Sequence, residues 1–478
     1  MNPTDLYFSL PVALQNLACN VTSYKNRIVR YPKRFHELLA EYNARSEWSH
    51  DRLIAYQGER IARLVLHCYE TVPHYRKVMD EGGIDPSSVR SIEDLKRFPV
   101  LTKEEVNRRP EDFLSSAYAG KPCIKRHTSG TTGSAFRFVM NREAFIEQWA
   151  VCWRYWCKLG LSFDQPHAMF GTRRIAAPDQ ASPPFWRPKA GTKELYFSAF
   201  HESPGNMKAY YDEIDRNGFT WIHGYPSLVV PLASYMVEND LHFSCRVKNV
   251  TLAAENLLAH QKRLISEAFG VDPRQHYGAS EGTVNASENA EGRMYVDEDY
   301  CAMEFVPFGE GDHEIVGTSL TNYAMPLIRW RLKDCGSVAC DENGFRYVSS
   351  LDGRTEDYVV LPNGVRVGRL ARVFKDTVHF REVQIHQNAD YSIVINAVRS
   401  SDDVSEDERT ALDELRQSIG RSIPVRFNYV DRIEKTRGGG QVQVRRVRGE
   451  PGCRRRILGP RCAKGRPAAG FQKEKGKQ

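Results

Sequence analysis

One short stretch limits what this chain can be more than any other. Residues 127–134 read His-Thr-Ser-Gly-Thr-Thr-Gly-Ser, so two glycines and five hydroxyl side chains occupy eight positions. Glycine permits positive φ and lets backbone N–H groups converge on an anion. Hydroxyl groups add donors that rotate to suit phosphate oxygens. The apolar run Phe136–Met140 follows, which predicts that the segment leads into a strand.

A plain Ser/Thr/Gly turn without a ligand is the alternative interpretation of this stretch. The stretch is not a Walker A loop, because no Gly-Lys-Ser/Thr sequence closes it. The working hypothesis is therefore a phosphate loop of another kind.

Composition excludes several classes of protein. The 478 residues are enough for two or more domains, and 41% hydrophobic with 27% charged residues is typical of a soluble globular protein. No apolar run approaches the roughly 20 residues that span a bilayer, and the first 20 residues make a poor signal peptide. The eleven cysteines are scattered without a CxxC motif, and Cys152 and Cys157 are expected on a helix. Reduced thiols in a cytoplasmic protein are the prediction.

The net charge of +7 belongs to the C-terminal tail. Residues 439–478 hold twelve Lys and Arg against two Glu, so the remainder of the chain carries a net charge of −3. Nucleic-acid binding would depend on that tail alone, and no nucleic-acid partner is expected.

The spacing of apolar residues predicts the order of elements. Residues 30–120 have helical spacing, and residues 141–345 alternate between helices and strands, which indicates α/β layers around a largely parallel sheet. The predicted elements of this part are helices at Ala144–Leu159, Leu228–Val237 and Leu257–Phe269, and strands at Pro166–Phe170, Trp221–Gly224 and Asn249–Ala253.

After Gly353 shorter elements predict a small α+β domain. They are strands at Tyr358–Leu361, Val383–Gln387 and Ile393–Val398 and a helix at Ser405–Ile419. We therefore expect an α/β domain at 1–352 with a mainly helical lead-in at 1–120, a small domain at 353–438, and a disordered tail at 439–478.

Six short motifs, in order, resemble those of the adenylate-forming enzymes, within the phenylacetate–CoA ligase-like branch that includes CapK-type capsule proteins. The resemblance covers about residues 30–438 and includes Val72–Arg76 and Pro99–Lys103 near its start. It implies a large N-terminal domain with layered sheets and helices and a small mobile C-terminal domain. The motifs are Thr128–Gly133, Gly224–Ser227, Ala254-Glu255, Tyr277–Glu281, Ala324–Arg331 followed by Asp334, and Gly353–Asp357 with Glu356 at a hinge.

The resemblance assigns roles to individual residues. It implies that Glu281 binds Mg²⁺ and acts in catalysis together with Thr132. It implies a strand that ends at the ribose-binding Asp334. The residues that would bind the nucleotide are Thr128, Ser129, Gly130, Thr131, Thr132, Gly133, Glu255, Tyr277, Gly278, Ser280, Asp334 and Arg354.

Each assignment has an alternative. Glu281 could be a solvated loop carboxylate, Tyr277 a core residue, and Asp334 a turn-forming residue before Cys335-Gly336. Arg354 could pair with a surface acid.

The reaction that the family implies has two steps. A carboxylic acid, here of apolar or aromatic character, reacts with ATP and Mg²⁺ to give an acyl-adenylate, and the thiol of coenzyme A then takes the acyl group. The acid is expected near Tyr225, Ala253 and Ala279, and a homodimer is one arrangement that we consider. Alternatives of the same fold are an adenylyltransferase, an accessory enzyme of polysaccharide biosynthesis, or a catalytically impaired relic.

One residue departs from the family at the C-terminus. Residues 433–440 match the approach to the family's lysine, but Gln441 stands in its place, and a neutral amide cannot neutralise a developing oxyanion. Dropping one G from the preceding glycine codons would let the next triplets read Lys-Phe-Lys. We therefore hypothesise that residues 441–478 are out of frame, with a genuine basic tail as the alternative.

Overall fold

Helices fill the first 120 residues, as their apolar spacing predicts. In the longest, Leu53, Ile61, Leu64 and Cys68 recur on one buried face, and Ser49 caps the N-terminus. The computed structural model describes residues 3–128, 136–177, 179–307, 313–354, 359–362, 366–367, 373–374, 377, 379–399, 401–419, 423–433 and 444–446. The helices of this lead-in are α1 (Pro3–Ser9), α2 (Val12–Arg30), α3 (Lys33–Arg45), α4 (His50–Thr71), α5 (Pro73–Gly82), α6 (Ile92–Leu95) and α7 (Lys103–Arg108).

A hairpin then precedes the central α/β part. Strands β1 (Cys123–His127) and β2 (Arg137–Asn141) pair antiparallel, so the segment between them does lead into a strand. The central elements are α8 (Arg142–Lys158), β3 (His167–Gly171), β4 (Trp186–Lys189), β5 (Glu194–Ser198), α9 (Pro204–Asn217), β6 (Trp221–Gly224), α10 (Pro226–Glu238), β7 (Asn249–Ala253), α11 (Ala259–Phe269) and β8 (Arg274–Gly278).

The chain continues into a run of strands without helices. These are β9 (Asn285–Glu288), β10 (Met294–Val296), β11 (Cys301–Pro307), β12 (His313–Ser319), β13 (Trp330–Cys340) and β14 (Arg346–Arg354). With β3–β8 they form a 12-stranded sheet in the order β11-β12-β13-β14-β10-β9-β8-β7-β6-β3-β5-β4.

The prediction of a largely parallel sheet is wrong for half of it. Strands β8, β7, β6, β3 and β5 pair parallel with one another. Strands β9–β14 pair antiparallel, and so do the pairs β8–β9 and β4–β5. Parallel strands need a crossover, usually a helix, and short connections allow only antiparallel pairs. The short connections after β8 therefore produce the antiparallel half.

Helices cover both faces of the parallel half. Successive strand residues point to opposite faces, so Trp221 packs with α3 and α8, whereas its neighbour Ile222 packs with α9–α11. Among the described helices, none has both the length and the apolar character that a membrane span requires.

A small α+β unit follows, as predicted. Its four-stranded sheet has the order β19-β18-β17-β20, and Phe380, Ile395 and Leu415 lie in its core. Val444–Arg446 pair parallel with β17, so the expectation of a wholly disordered tail is wrong for these three residues. The elements are β15 (Val359–Val360), β16 (Arg366–Val367), β17 (Phe380–Gln387), β18 (Ile393–Arg399), α12 (Ser405–Ile419), β19 (Val425–Tyr429) and β20 (Val444–Arg446).

Candidate active site

Three of the predicted motifs follow the carboxyl ends of neighbouring parallel strands. Strand β6 ends at Gly224, β7 at Ala253 and β8 at Gly278, and β7 lies between the other two. The carboxyl ends of parallel strands meet at one edge of a sheet, which is where open α/β sheets bind ligands. Tyr225, Glu255 and Glu281 therefore share that edge.

The glycine/hydroxyl segment connects the two strands of the β1–β2 hairpin. The Thr128 N–H donates a hydrogen bond to the Phe136 carbonyl oxygen at 2.9 Å, which continues the hairpin beyond its last strand pair, His127 with Arg137. Residues 129–135, and with them Ser129–Gly133 of the prediction, lie outside the described residues.

Both strands of the hairpin are bound to the rest of the domain. On β1, Arg126 Nη1 donates to Gln148 Oε1 at 2.8 Å, and Gln148 Nε2 donates to the carbonyl oxygens of Ala279 at 3.1 Å and Ser280 at 3.4 Å. A single glutamine of α8 thus joins the base of the loop to the Tyr277–Glu281 motif.

The second strand is held by a pair of asparagines. Asn141 Oδ1 accepts from the Tyr323 N–H at 2.9 Å, and Asn322 Nδ2 donates to the Val139 carbonyl oxygen at 2.9 Å. Both asparagine side chains are buried, so they fix the end of β2 against the turn that precedes β13.

Glu281 is a buried carboxylate. Its side chain is 8% exposed, and Ser280 Oγ donates to Glu281 Oε2 at 3.1 Å. Burial raises the pKa of Glu281, and Arg126 opposes that rise. The following Gly282 has a φ of +72°, and a Cβ there would lie 2.8 Å from the Tyr300 hydroxyl oxygen. The alternative of a solvated loop carboxylate is therefore wrong.

Asp334 lies within a strand. The Tyr277 hydroxyl donates to Asp334 Oδ2 at 2.9 Å, and Asp334 faces Arg354 in the pairing of β13 with β14. Strand β13 runs from Trp330 through Asp334 to Cys340, so both a turn-forming Asp334 and a strand that ends there are wrong. The strand pairing is irregular next to Asp334. The register shifts between Cys335 and Gly336 in the pairing of β13 with β14, and between Ile315 and Val316 in the pairing of β12 with β13.

Glu255 binds the start of α10. Its Oε2 accepts from the Ser227 N–H and its Oε1 from Ser227 Oγ, both at 3.0 Å, and a carboxylate at a helix N-terminus is stabilised by the helix dipole. At the preceding Gly224, a Cβ would lie 2.6 Å from Phe170 backbone and side-chain atoms, which explains the glycine there.

Comparison with known proteins shows which family the chain resembles. Residues 360–446 match the family model described as the CapK C-terminal domain. The chain is 21% identical over 446 residues to Protein CapK of Staphylococcus aureus, covering 91% of this chain and 97% of that one. The chain is therefore similar over most of its length to the CapK and phenylacetate–CoA ligase-like branch of the adenylate-forming superfamily.

Further similarities agree with this CapK-type assignment. The phenylacetate–coenzyme A ligase of Escherichia coli K12 is 25% identical over 365 residues, covering 72% of this chain and 80% of that one. Among solved structures, 2-hydroxyisobutyryl-CoA ligase in the postadenylation state with 2-HIB-AMP has the same fold, with a TM-score of 0.61 at 18% identity and coverage of 82% and 89%.

The structure places most of the predicted residues of this CapK-type site at one edge. Gln148 joins Arg126, two residues before Thr128, to the carbonyl oxygens of Ala279 and Ser280, which lie between Gly278 and Glu281 in sequence. Tyr277 donates to Asp334. Arg354 is placed only by its backbone, whereas Glu356 and Gln441 lie outside the described residues.

Sequence reasoning missed Arg126, Gln148 and Asn322. Arg126 stands two residues before Thr128, which is a usable signal for a residue at the base of the loop. Gln148 and Asn322 are distant in sequence from the groups they bind, and no spacing rule identifies them.

The donor set of the site suits Mg²⁺ held chiefly by phosphate. Within the part of the chain that is described, no group of three or more His, Cys, Asp and Glu side chains could hold a metal ion alone. Mg²⁺ is usually bound by one or two carboxylates together with substrate phosphates and water. The buried Glu281 beside the base of the loop fits that requirement.

A cavity of about 250 Å³ lies beside this edge. Tyr225, one of the residues expected near the acid, lines it together with His223 and Trp149. Ala253 and Ala279 are not among its lining residues. Ala253 ends β7 and Ala279 follows the end of β8, so both still lie at the same edge of the sheet.

Proposed function

We propose that this chain is an ATP-dependent acid–thiol ligase that forms an acyl-adenylate and transfers the acyl group to coenzyme A. The Arg126–Gln148–Ala279 connection carries the proposal. It holds the base of the glycine/hydroxyl loop against the turn that presents Glu281, so the segment that would supply phosphate donors starts beside the carboxylate that would bind the metal. The family assignment supports the same reaction.

In the first step a carboxylate oxygen attacks the α-phosphorus of ATP. The bond between the α-phosphorus and the bridging oxygen breaks, and pyrophosphate leaves. Thr128–Gly133, including Thr132, would hold the β- and γ-phosphates by N–H and hydroxyl donors. Asp334, with one oxygen bound by Tyr277, would accept hydrogen bonds from the ribose hydroxyls, as acidic residues do in other nucleotide folds. Arg354 would reach the ribose or a phosphate.

Glu281 would hold Mg²⁺ together with the phosphates. When bound, the ion neutralises charge on the phosphate oxygens and fixes the leaving group. The chain's own contribution is position: Ser280 donates to Glu281, and Gln148 holds the carbonyl groups of the same turn.

In the second step the sulfur of coenzyme A attacks the acyl carbon. A thioester forms, the bond to the AMP oxygen breaks, and the thiol proton passes to solvent. The reaction belongs in the cytoplasm, and the nine cysteines within the described residues are all free thiols, which agrees with a reducing compartment. A role in capsule polysaccharide biosynthesis, which the resemblance to CapK-type capsule proteins implies, is part of the proposal.

A homodimer is part of the proposal. Helix α2 exposes Leu14, Leu17, Val21, Tyr24 and Ile28, and this spacing of three and four residues is typical of a helix that packs on another helix. Sedimentation of the chain and of Val21→Asp tests it. We expect the variant to sediment as a monomer.

Gln441 favours a second candidate, a nucleotide-binding relic that no longer adenylates. The family's lysine at this position would meet the carboxylate and the α-phosphate, and glutamine carries no charge. The family match extends to residue 446, and re-sequencing the gene tests the hypothesis of an out-of-frame tail. An adenylyltransferase of the same fold would transfer AMP to an acceptor other than an acid.

ATP–pyrophosphate exchange separates these candidates. The chain and its Gln441→Lys variant are assayed over a panel of aromatic and aliphatic acids, with ATP binding measured in parallel. Exchange by the chain as given supports a ligase. Exchange that appears only in Gln441→Lys supports the relic, because the fold then still adenylates once the lysine is restored. ATP binding without exchange in both forms overturns the adenylation step.

A further inference from the structure

The cavity beside the site contains charged groups that an apolar acid would not use. It is enclosed by α2, α8 and the carboxyl ends of β3 and β6, and its volume of about 250 Å³ is below the roughly 300–1,000 Å³ of sites for drug-sized ligands. A metabolite of about one ring fits that space. The following inference rests on the proposed function, since it names the acid that this site takes.

Part of the cavity wall is aromatic. Trp149, Trp153 and Trp156 of α8 line it, and their indole nitrogen atoms are buried in the protein. This wall therefore offers aromatic surface to the body of a ligand, and the polar contacts of the ligand must come from other side chains.

The lining of the cavity also carries an excess of positive charge. Four cationic side chains and two carboxylates line the cavity, and two of the cations are already paired. Lys189 Nζ lies 3.3 Å from Glu194 Oε2, and Arg27 is paired with Asp164. Among the described residues, no ion pair joins Arg30 or Arg173 to a carboxylate.

The histidines of the cavity do not change this balance. Burial lowers the pKa of His167 and lowers the pKa of His223 to about 4, so both rings are neutral at pH 7. The cavity therefore has two cations more than its carboxylates balance.

Arg30 has an unfavourable position unless an anion joins it. Its Cζ lies 4.1 Å from the centroid of the Trp149 ring, so the guanidinium group is stacked on an aromatic face. Burial lowers its pKa, and the nearby Arg173 lowers it further, whereas Tyr31 and Glu194 oppose the shift. A cation without a carboxylate partner, close to another cation, is destabilising in the absence of a ligand.

The cavity also adjoins the reacting end of the site. Tyr225, which follows the carboxyl end of β6, lines the cavity. Burial lowers the pKa of Arg126 at the base of the phosphate loop, and the nearby Arg30 of the cavity lowers it further. A ligand in the cavity can therefore present one end toward Glu281 while its other end lies at Arg30.

We propose that this cavity binds a dicarboxylic acid, with one carboxylate directed to the phosphate site and the second held by Arg30 and Arg173. The second carboxylate supplies the negative charge that no carboxylate of the described residues supplies to the two guanidinium groups. The aromatic wall selects a flat or ring-containing body between the two carboxylates.

Calorimetric titration of matched acids tests the proposal. The full chain at pH 7 is titrated with phenylacetic acid and with 1,4-phenylenediacetic acid, which differ by one carboxymethyl group. We expect the diacid to bind at least about tenfold more tightly, since a hydrogen bond to a charged group contributes about 1.5–3 kcal/mol. In Arg30→Gln and in Arg173→Gln this preference disappears, while binding of the monoacid is retained.

Arg174→Gln is the matched control, because Arg174 is adjacent to Arg173 in sequence, does not line the cavity and stacks on Phe200. Thermal unfolding of each variant checks that it is folded. The Arg173 side chain is exposed, so its replacement leaves the core intact. Equal affinity for the two acids, or the same loss in Arg174→Gln, overturns the proposal.

Pyrophosphate exchange with the same two acids distinguishes this inference from the proposed function. Exchange with the monoacid and no preference for the diacid overturns the dicarboxylate inference and leaves the ligase. Binding of the diacid that depends on Arg30, without exchange by either acid, supports the cavity's specificity and overturns adenylation.

Discussion

Tyr277 and Asp334 are 57 residues apart in sequence, and the tyrosine hydroxyl donates a hydrogen bond to the aspartate Oδ2 at 2.9 Å. The bond joins the end of β8 in the parallel half of the sheet to β13 in the antiparallel half. It fixes the orientation of the Asp334 carboxylate, which a residue that binds two neighbouring hydroxyl groups of one ligand requires.

Tyr277→Phe should weaken ATP binding by about tenfold, since a hydrogen bond to a charged group contributes about 1.5–3 kcal/mol. Equilibrium titration with ATP measures this. Tyr295→Phe is the control, because its hydroxyl donates to Asp341 Oδ2 at 3.0 Å, near the other end of β13. The two variants should lose similar stability, and only Tyr277→Phe should lose ATP affinity. Equal ATP affinities would remove Tyr277 from the site.

Gln148→Leu should lower the rate of pyrophosphate exchange at least tenfold, because it releases both Arg126 and the carbonyl groups of Ala279 and Ser280. Gln148→Glu separates the two contacts: it keeps an acceptor for Arg126 and loses the donor to the carbonyl groups. We expect an intermediate rate for the glutamate variant. A leucine variant with the rate of the parent chain would show that the loop is positioned without this bridge.

Arg154→Met should lower the free energy of unfolding by about 3–5 kcal/mol, because it removes the cation shared by two buried carboxylates and leaves Arg45 as the one cation bound to Asp299 among the described ion pairs. Arg154 donates to Asp297 Oδ1 at 2.7 Å and to both oxygens of Asp299 at 2.8 Å. Urea unfolding measures the change. In contrast, Lys208→Met removes the exposed ion pair with Asp212 and should cost less than about 1 kcal/mol. Similar losses in both variants would contradict the importance of the buried cluster.

His223 should make the protein less stable in mild acid. Burial lowers its folded-state pKa from 6.5 to about 4, so between these values the unfolded chain binds a proton that the folded chain does not. Stability is present above pH 6.5 and is lost as the pH falls toward 4, by about 2 kcal/mol between pH 7 and pH 5.

The measurement compares urea unfolding of the chain and of His223→Gln at pH 7 and pH 5. The variant should lose about 2 kcal/mol less over this interval, whereas replacement of the exposed His242 should change nothing. A parallel loss in all three proteins would show that His223 titrates normally.

Much of the fold could be predicted where a pattern was uninterrupted. Strands β6 and β7 and helix α12 have the predicted bounds, since each carries a continuous apolar run or a regular amphipathic repeat. The strand through Asp334 could not be delimited, because Lys333, Asp334 and Gly336 interrupt its apolar alternation, and register shifts in the sheet accommodate them.

The site could be predicted by its motifs and not by its contacts. The burial of Glu281 and the capping of α10 by Glu255 depend on residues that are distant in sequence, and local spacing contains no information about them. The bridge through Gln148 joins positions 126, 148 and 279, which only the packing of α8 across the sheet brings together.

Glu281→Gln tests the metal assignment most directly. The substitution keeps the shape of the side chain and removes its negative charge, and Mg²⁺ prefers carboxylate and phosphate oxygens. We expect exchange at saturating ATP to fall at least tenfold and the Mg²⁺ concentration that gives half-maximal exchange to rise, because a metal at transferring phosphates contributes several kcal/mol.

Glu288→Gln is the matched control. Glu288 is also buried, its pKa is likewise raised by burial, and it accepts from the Gln275 N–H at 2.7 Å in the neighbouring strand. Its replacement should lower stability without changing the Mg²⁺ dependence. If the two variants show the same Mg²⁺ titration as the parent chain, Glu281 is a structural carboxylate and the metal is held elsewhere.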